Sequence, residues 1–406
     1  MNNEIPEYEF DADVRKIHLQ ALHLLNKEKV KDDIILAGKT QLKLKGNDID
    51  NIVGNANFQQ VVFTKGTKSV RLKNAEVSSF LNDGLRHANL TSDLLNADFE
   101  GKFEFKYIVN AINNYLYHYF PYQFKYKTYT KPQELSFELD LKKEMLPLVQ
   151  IFLPKVMEID SGAFAQGNIN TLSRKMELIA KVPQLLFDKT NIHHFSLNAD
   201  SDIEQINFYT TVDTIKTSGL IISSTHLQGK IKDDSIDFDL NVAQDNSANH
   251  LFVNGLLFSN SDRLKLIFKE TEIFIKNKKW EANTGIFTYK DKDFFEIEDI
   301  VLSQGQQRIT LRSEPNDIFK NLTEVLIENI NLNDFDYIPA VRNMGLKAIL
   351  NGNLSVKDVF GMQQIEADLL ANDFVFSGQK IGDLNAQALK NKDCLLYTSP
   401  SPRDIG

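Results

Sequence analysis

The sequence predicts a mainly β protein, an elongated antiparallel meander curled into an apolar-lined trough, with one or two short amphipathic helices near residues 106–155. Three observations predict it. Apolar and polar residues alternate with a period of two along most of the chain, the mark of strands with one greasy and one wet face. Short polar turns such as Lys232-Asp233-Asp234-Ser235 and Asn277-Lys278-Lys279 separate the alternating runs. From about residue 161 to 389 the pattern runs without a boundary, longer than a closed barrel or sandwich usually needs.

Taken in order, Asp11 to Asn26 is ambiguous between helix and strand, so 1–33 is left as an unassigned N-terminal segment. Residues 34–105 read as β-trough repeats. Within them Ala97 to Phe105 places every apolar residue or glycine at an odd position and every charge at an even one, so one strand is expected through Phe105. Residues 106–155 interrupt the pattern. Ile108, Ala111, Ile112, Tyr115, Leu116 and Tyr119 follow helical spacing within Tyr107 to Phe120, and Pro121 stops that helix. Leu135 to Leu141 alternates as a strand, and Glu144 to Leu153 reads as a second, shorter helix. Residues 156–393 then read as continuous β-trough repeats, including Ile236 to Val242 and Leu350 to Val356, with Ile338 to Val341 at most one helical turn. From Cys394 the alternation breaks, and 394–406 reads as translated sequencing-adapter read-through, foreign to the fold.

Composition narrows the function. The 406 residues carry 46 Lys and Arg against 55 Asp and Glu, a net charge of −9, and the lysines and arginines are interleaved with acids rather than gathered into a stripe for a phosphate backbone. No nucleic-acid partner is expected. The single cysteine lies in the discounted tail, so neither thiol catalysis nor a zinc-thiolate site is expected. Ile34 to Thr40 ends like a phosphate-binding loop, but Asp33 stands where the first glycine belongs and the following residues alternate like a strand instead of opening a helix. The eight histidines are scattered, and His193 and His194, adjacent in a strand, point to opposite faces. No catalytic residue, metal ligand or cofactor site is expected, and the chain does not read as an enzyme. No run of residues is apolar enough to span a bilayer, and Met1-Asn2-Asn3-Glu4 does not open a signal peptide.

The stretch from Leu42 to Phe58, with Gly46-Asn47-Asp48-Ile49-Asp50-Asn51-Ile52-Val53-Gly54 at its centre, resembles the G-N-x-I-D-x-I-x-G-x-x-x-F stretches of TamB-like translocation and assembly module proteins of the flavobacterial type. Asn96 to Phe105 leading into the Tyr107 helix, Lys181 to Phe187 followed by Ile192 to Leu197, and Gly345 to Leu389 are similar to the same family. The resemblance covers most of residues 34–389. It implies a place among AsmA-like and bridge-like lipid-transfer proteins: an inner-membrane anchor, a long periplasmic β-trough, and a C-terminal domain engaging an outer-membrane barrel assembly protein. This chain then reads as an internal fragment of the periplasmic portion, without the anchor and the C-terminal domain. The implied function is conduction of phospholipid between the inner and outer membranes, translocation and assembly of outer-membrane proteins (protein secretion), or both. Phe99, Phe103, Phe105, Leu135, Phe137, Leu139 and Leu141 are the candidates to line the groove and meet acyl chains. The rival is a β-rich extracellular structural or adhesin-like protein, with the same alternation and no lipid channel.

Overall fold

The computed structural model describes residues 5–18, 34–48, 50–65, 68–142, 145–146, 149–150, 155–217, 220–243, 249–260, 263–291, 294–314, 322–357, 364–391 and 394–398. The fold is mainly β, and every strand pairing in it is antiparallel. The chain divides into two units, Met1–Thr217 and Ser218–Gly406. The division falls inside the stretch that the alternation reads as continuous.

In the first unit β1 (Glu7–His18), β2 (Ile34–Lys45), β3 (Val53–Lys65), β4 (Lys68–Asn82), β5 (Leu85–Ser92) and β6 (Leu95–Lys102) pair in sequence order. Helix α1 (Phe105–Tyr119) follows, and then β7 (Glu134–Leu141) returns to pair with β6. β8 (Val156–Ile159) and β9 (Ala163–Asn170) behave as one broken strand, both pairing with the same edge of β10 (Lys175–Phe187) while β9 also pairs with β7. β11 (Thr190–Ser201) and β12 (Ile206–Thr217) complete the unit. Among the described residues β1 pairs with β2 alone, so this sheet is not closed there.

A crease crosses the longer strands at a matching depth. The ladder slips between Val14 and Ile17 in β1 and at Gly38 in β2, and it pauses where Gln60 (φ 53°) faces Lys73 and where Pro183 faces His194 (φ 51°). Across it the inward face changes parity. Ala56 and Phe58 give way to Val61 and Phe63 in β3, and Val70 and Leu72 give way to Ala75 and Val77 in β4. Such irregularities bend a strand and sharpen its twist. β5, β6, β7 and β9, each eight residues long, end at that level. Beyond it Val61, Val70, Leu72, Ala75 and Leu94 form a buried cluster against which Met145 packs. The expected helix over 144–153 lies mostly outside the described residues.

Helix α1 closes the opposite end of the sheet by lying across the strand ends. Lys106 reaches Asp50 at 3.2 Å, Tyr115 bonds Ser201 through their hydroxyls, and Tyr119 donates to the Asp202 carbonyl at 2.5 Å. Desolvation raises the Tyr115 hydroxyl far above the ordinary tyrosine range, so it stays a neutral hydrogen-bonding group. The helix starts two residues before the expected Tyr107. Its buried stripe is Tyr107, Ala111, Tyr115 and Tyr119, whereas Ile112 of the expected apolar set is exposed.

In the second unit β13 (Leu220–Lys232), β14 (Ser235–Ala243), β15 (His250–Asn260) and β16 (Arg263–Ile275) pair in order. β17 (Lys278–Ala282) and β18 (Ile286–Asp291) share the next edge, followed by β19 (Phe294–Glu298) on β18 and β20 (Ile300–Gln304) on β17. β21 (Gln307–Glu314), β22 (Leu322–Asn331), β23 (Lys347–Lys357), β24 (Gln364–Phe376), β25 (Gln379–Asn391) and β26 (Cys394–Thr398) continue in order. The segment set aside as read-through thus begins with a strand paired to β25. Both central residues of the turns Asp233-Asp234 and Lys276-Asn277 have positive φ, as tight hairpins require.

Here too a short helical segment crosses one end of the strands: a 3-10 turn, Leu332–Phe335, and α2, Pro339–Asn343, one residue longer than a turn of helix. It is anchored by Lys276 to Asp336 at 2.7 Å and by the Ser377 amide donating to the Met344 carbonyl at 3.0 Å. Beneath it Trp280 is 1% exposed, its ring edge-on to Phe335 at 5.8 Å. Asp334, buried, takes both carboxylate oxygens to Lys278 at 2.8 and 2.9 Å and one to Gln307 at 3.1 Å. Burial pushes its carboxyl up, but these bonds and the charges of Lys278 and Lys276 together hold it below the usual range. A depressed carboxylate stabilises the fold above its unfolded pKa of about 4 and loses that contribution as pH falls through its lower folded value. Unfolding midpoints of the second unit are therefore expected to drop below pH 4, and Asp334→Asn should flatten that acid limb while lowering the midpoint at pH 7. Urea titrations at stepped pH check both.

Candidate functional site

The strand register of the first unit sorts its side chains into rows. Ala88, Phe99, Phe137, Gly167, Leu178, Ala199 and Phe208 face one another across β5, β6, β7, β9, β10, β11 and β12. Two residues along, a second row runs Leu90, Ala97, Leu139, Ala165, Ala180 and Leu197. Both rows lie on one face. The row between them, Asn89, Asp98, Glu138, Gln166, Ile179 and Asn198, lies on the other. Seven strands at about 4.8 Å spacing make an apolar track about 29 Å wide. All described strands of the unit belong to this one sheet, so no second sheet faces the rows among the described residues. Most of their side chains are half-buried, shielded by their neighbours.

Glycine makes part of this floor flat. A Cβ on Gly167 would stand 3.2 Å from two ring atoms of Phe137, which places the Phe137 ring over the glycine backbone. The second unit repeats the device, where a Cβ on Gly255 would collide with the ring of Phe238. Its apolar rows include Leu227, Leu240 and Val253, and also Ile309, Ile327, Gly352, Leu369 and Ala386.

Of the seven residues the sequence singles out, Phe99, Phe137, Leu139 and Leu141 are half-buried on the apolar face, and Leu135 is buried on that face near the α1 end. Phe103 and Phe105 correct the expectation. β6 stops at Lys102, so neither residue is in a strand, and Phe105 opens α1. Phe103 is buried, its ring edge-on to Phe105 at 5.2 Å, and the guanidinium of Arg86 lies 5.7 Å from the centre of the Phe105 ring. The odd-position pattern persists beyond the strand because the helix entry needs apolar residues of its own.

Sequence reasoning missed Arg86. It stands opposite Gly101 on the apolar face yet is only 2% exposed, donating to the carbonyls of Asp50 and Ile52 and to the Ser79 hydroxyl. It ties the β2–β3 turn to the α1 end of the sheet. Glu104, at the N-cap of α1, makes no cap bond; its carboxylate takes Lys131 at 2.6 Å, and that bond holds it below the usual range.

The reverse face is polar. A cleft of about 450 Å³ there is lined by Phe80, His87, Asp98, Glu100, Glu138 and Glu177 among others, with His87 stacked on Phe80 at 4.8 Å and 3.5 Å from Glu100. Three further histidines have separate partners: His194 lies on Asp213 at 2.9 Å, His118 on the Ile203 carbonyl at 2.9 Å, and His250 is stacked on Phe274. Among the described residues no group of three or more His, Cys, Asp or Glu side chains is placed to hold a metal ion, and no helix is long and apolar enough to cross a membrane. Ile34 to Lys45 is a strand, with Gly38 at its crease rather than in a phosphate loop.

Comparison of the chain with protein-family models, with curated proteins and with solved structures finds no match.

Proposed function

We propose that this chain is a segment of an envelope-biogenesis protein whose apolar sheet face conducts phospholipid between the inner and outer membranes, alone or together with assisting outer-membrane protein assembly. The observation that supports the reading is the pair of apolar rows on a sheet that is not closed, half-buried and, among the described residues, without a second sheet facing them. A closed core would bury those rows under a second layer. An acyl tail crossing water exposes apolar surface at roughly 0.8 kcal/mol per CH₂, on the order of 10 kcal/mol per tail. A continuous apolar floor removes most of that barrier, while headgroups stay in solvent. The resemblance of Leu42 to Phe58 and of the later segments to TamB-like proteins supports the same reading, and with it a periplasmic location, attachment to the inner membrane and an outer-membrane barrel assembly protein as partner.

Leu139→Glu, which puts a charge on the half-buried floor, is expected to leave the fold intact and reduce the phospholipid that copurifies with the protein. Lipid phosphorus per mole of protein measures this. Unchanged phosphorus would sink the groove reading, and a protein free of lipid before mutation would favour a purely structural sheet.

A further inference from the structure

Residues 105–133 contain no Asp or Glu, in a chain of net charge −9, and hold Lys106, Lys125, Lys127 and Lys131 together with seven of the twelve tyrosines. The structure gathers them into one feature. After α1 the chain doubles back along the helix as a strap, held by three asparagines at helical spacing. Asn113 donates to the Lys125 carbonyl at 2.6 Å, Asn114 to the Lys127 carbonyl at 2.8 Å, and Asn110 to the Tyr129 carbonyl at 3.1 Å, while the Lys127 amide returns a bond to Asn114 at 2.6 Å. Tyr117 and Tyr126 stack edge-to-face across this seam at 5.6 Å, and Tyr107 and Tyr129 meet at 5.5 Å.

The helix therefore has three sides. Its tyrosine stripe faces the strand ends, its asparagine row holds the strap, and a third side leaves Val109 74% and Ile112 36% exposed. On the strap Tyr122, Tyr126 and Tyr129 are exposed as well. Lys106 and Lys131 are engaged with Asp50 and Glu104, but Lys125 and Lys127 form no ion pair among the described residues. An exposed apolar helix side flanked by tyrosines and by lysines without ion pairs, on a segment with no acid of its own, has the composition of a membrane-interface element: rings at headgroup level and cations on lipid phosphates.

We propose that α1 and its strap form a docking surface for an anionic phospholipid bilayer, so that this end of the sheet rests on a membrane. The proposal stands on the patch alone and does not require the apolar rows to carry lipid.

Flotation of the full chain with vesicles tests it, using phosphatidylcholine alone and phosphatidylcholine with one third phosphatidylglycerol. Binding is expected only to the anionic vesicles and should fall as salt is raised. Each lysine near an anionic surface contributes about fivefold, so Lys125→Gln with Lys127→Gln should weaken partitioning roughly 30-fold. Lys216→Gln with Lys230→Gln, which changes net charge equally elsewhere, should leave it unchanged. Circular dichroism confirms that each variant is folded. Val109→Asp, on an already exposed position, provides a second variant that should weaken binding without touching the lysines. Equal binding to neutral vesicles, equal loss in both lysine pairs, or no vesicle binding by the wild-type chain would overturn the proposal; the last result would assign the patch to a protein partner instead.

Discussion

Phe103→Glu is expected to unfold the first unit, the largest single effect anticipated on this chain. Phe103 is 6% exposed, at the point where the chain leaves β6 for α1, and packs on Phe105, which in turn lies against buried Arg86. A carboxylate there has lost its water; unless it protonates or captures Arg86 from its carbonyl partners, it costs several kcal/mol. Set against a total of about 5–15 kcal/mol for a domain, that is enough to depopulate the folded state. Phe103→Leu keeps the site apolar and should cost far less. The check is a urea titration followed by circular dichroism for both variants. A wild-type midpoint for Phe103→Glu would mean that the helix entry is wet and that α1 does not close this end of the sheet.

Trp280→Ala should be nearly as severe in the second unit. Removing a fully buried aromatic side chain costs about 3–5 kcal/mol through lost transfer energy and the cavity left behind. The ring also supports Phe335, and through it the segment that carries Asp334 to Lys278 and Gln307. Hydrogen exchange read by mass spectrometry is the suitable measurement, since the variant loses the chain's only tryptophan signal. Protection should fall in peptides covering β17, β20 and residues 332–346, while peptides from β10 and β11 keep theirs.

How far the sequence carries differs between the fold and the site. Period-two runs mark strands wherever a ladder is regular, so Leu135 to Leu141 and Ile236 to Val242 coincide with β7 and β14 to within a residue at each end. Alternation cannot see a crease. At Gln60 and His194 the backbone turns through positive φ and parity reverses, so a face read by counting twos from one end is wrong beyond that point. Nor does alternation show where a strand ends when the next element also wants apolar residues, which is why the pattern carries Phe103 and Phe105 onto the groove face. The helix itself was legible from its spacing, but its buried side was not, because the tyrosines bury their rings while bonding Ser201 and Asp202, and Ile112 is left outside. The strap had a signal in Asn110, Asn113 and Asn114, residues that are poor helix formers unless their amides are engaged.

The apolar face and the lysine-tyrosine patch at α1 are separable by mutation. One concerns what slides over the sheet; the other concerns what the α1 end rests on. Loss of Lys125 and Lys127 should weaken docking on anionic vesicles roughly 30-fold and leave lipid on the apolar rows. A charge at Leu139 should do the reverse.

The central claim, that the apolar rows carry acyl chains, is tested most directly by photocrosslinking at single residues in cells. A photoreactive amino acid at Leu139 or Phe137 should capture phospholipid, and one at Glu138, on the opposite face of the same strand, should not. Capture should recur at Leu197, which shares the row with Leu139 across β9 and β10. Equal capture at positions 138 and 139, or no lipid at 137, 139 and 197 in protein that remains folded, would contradict the account.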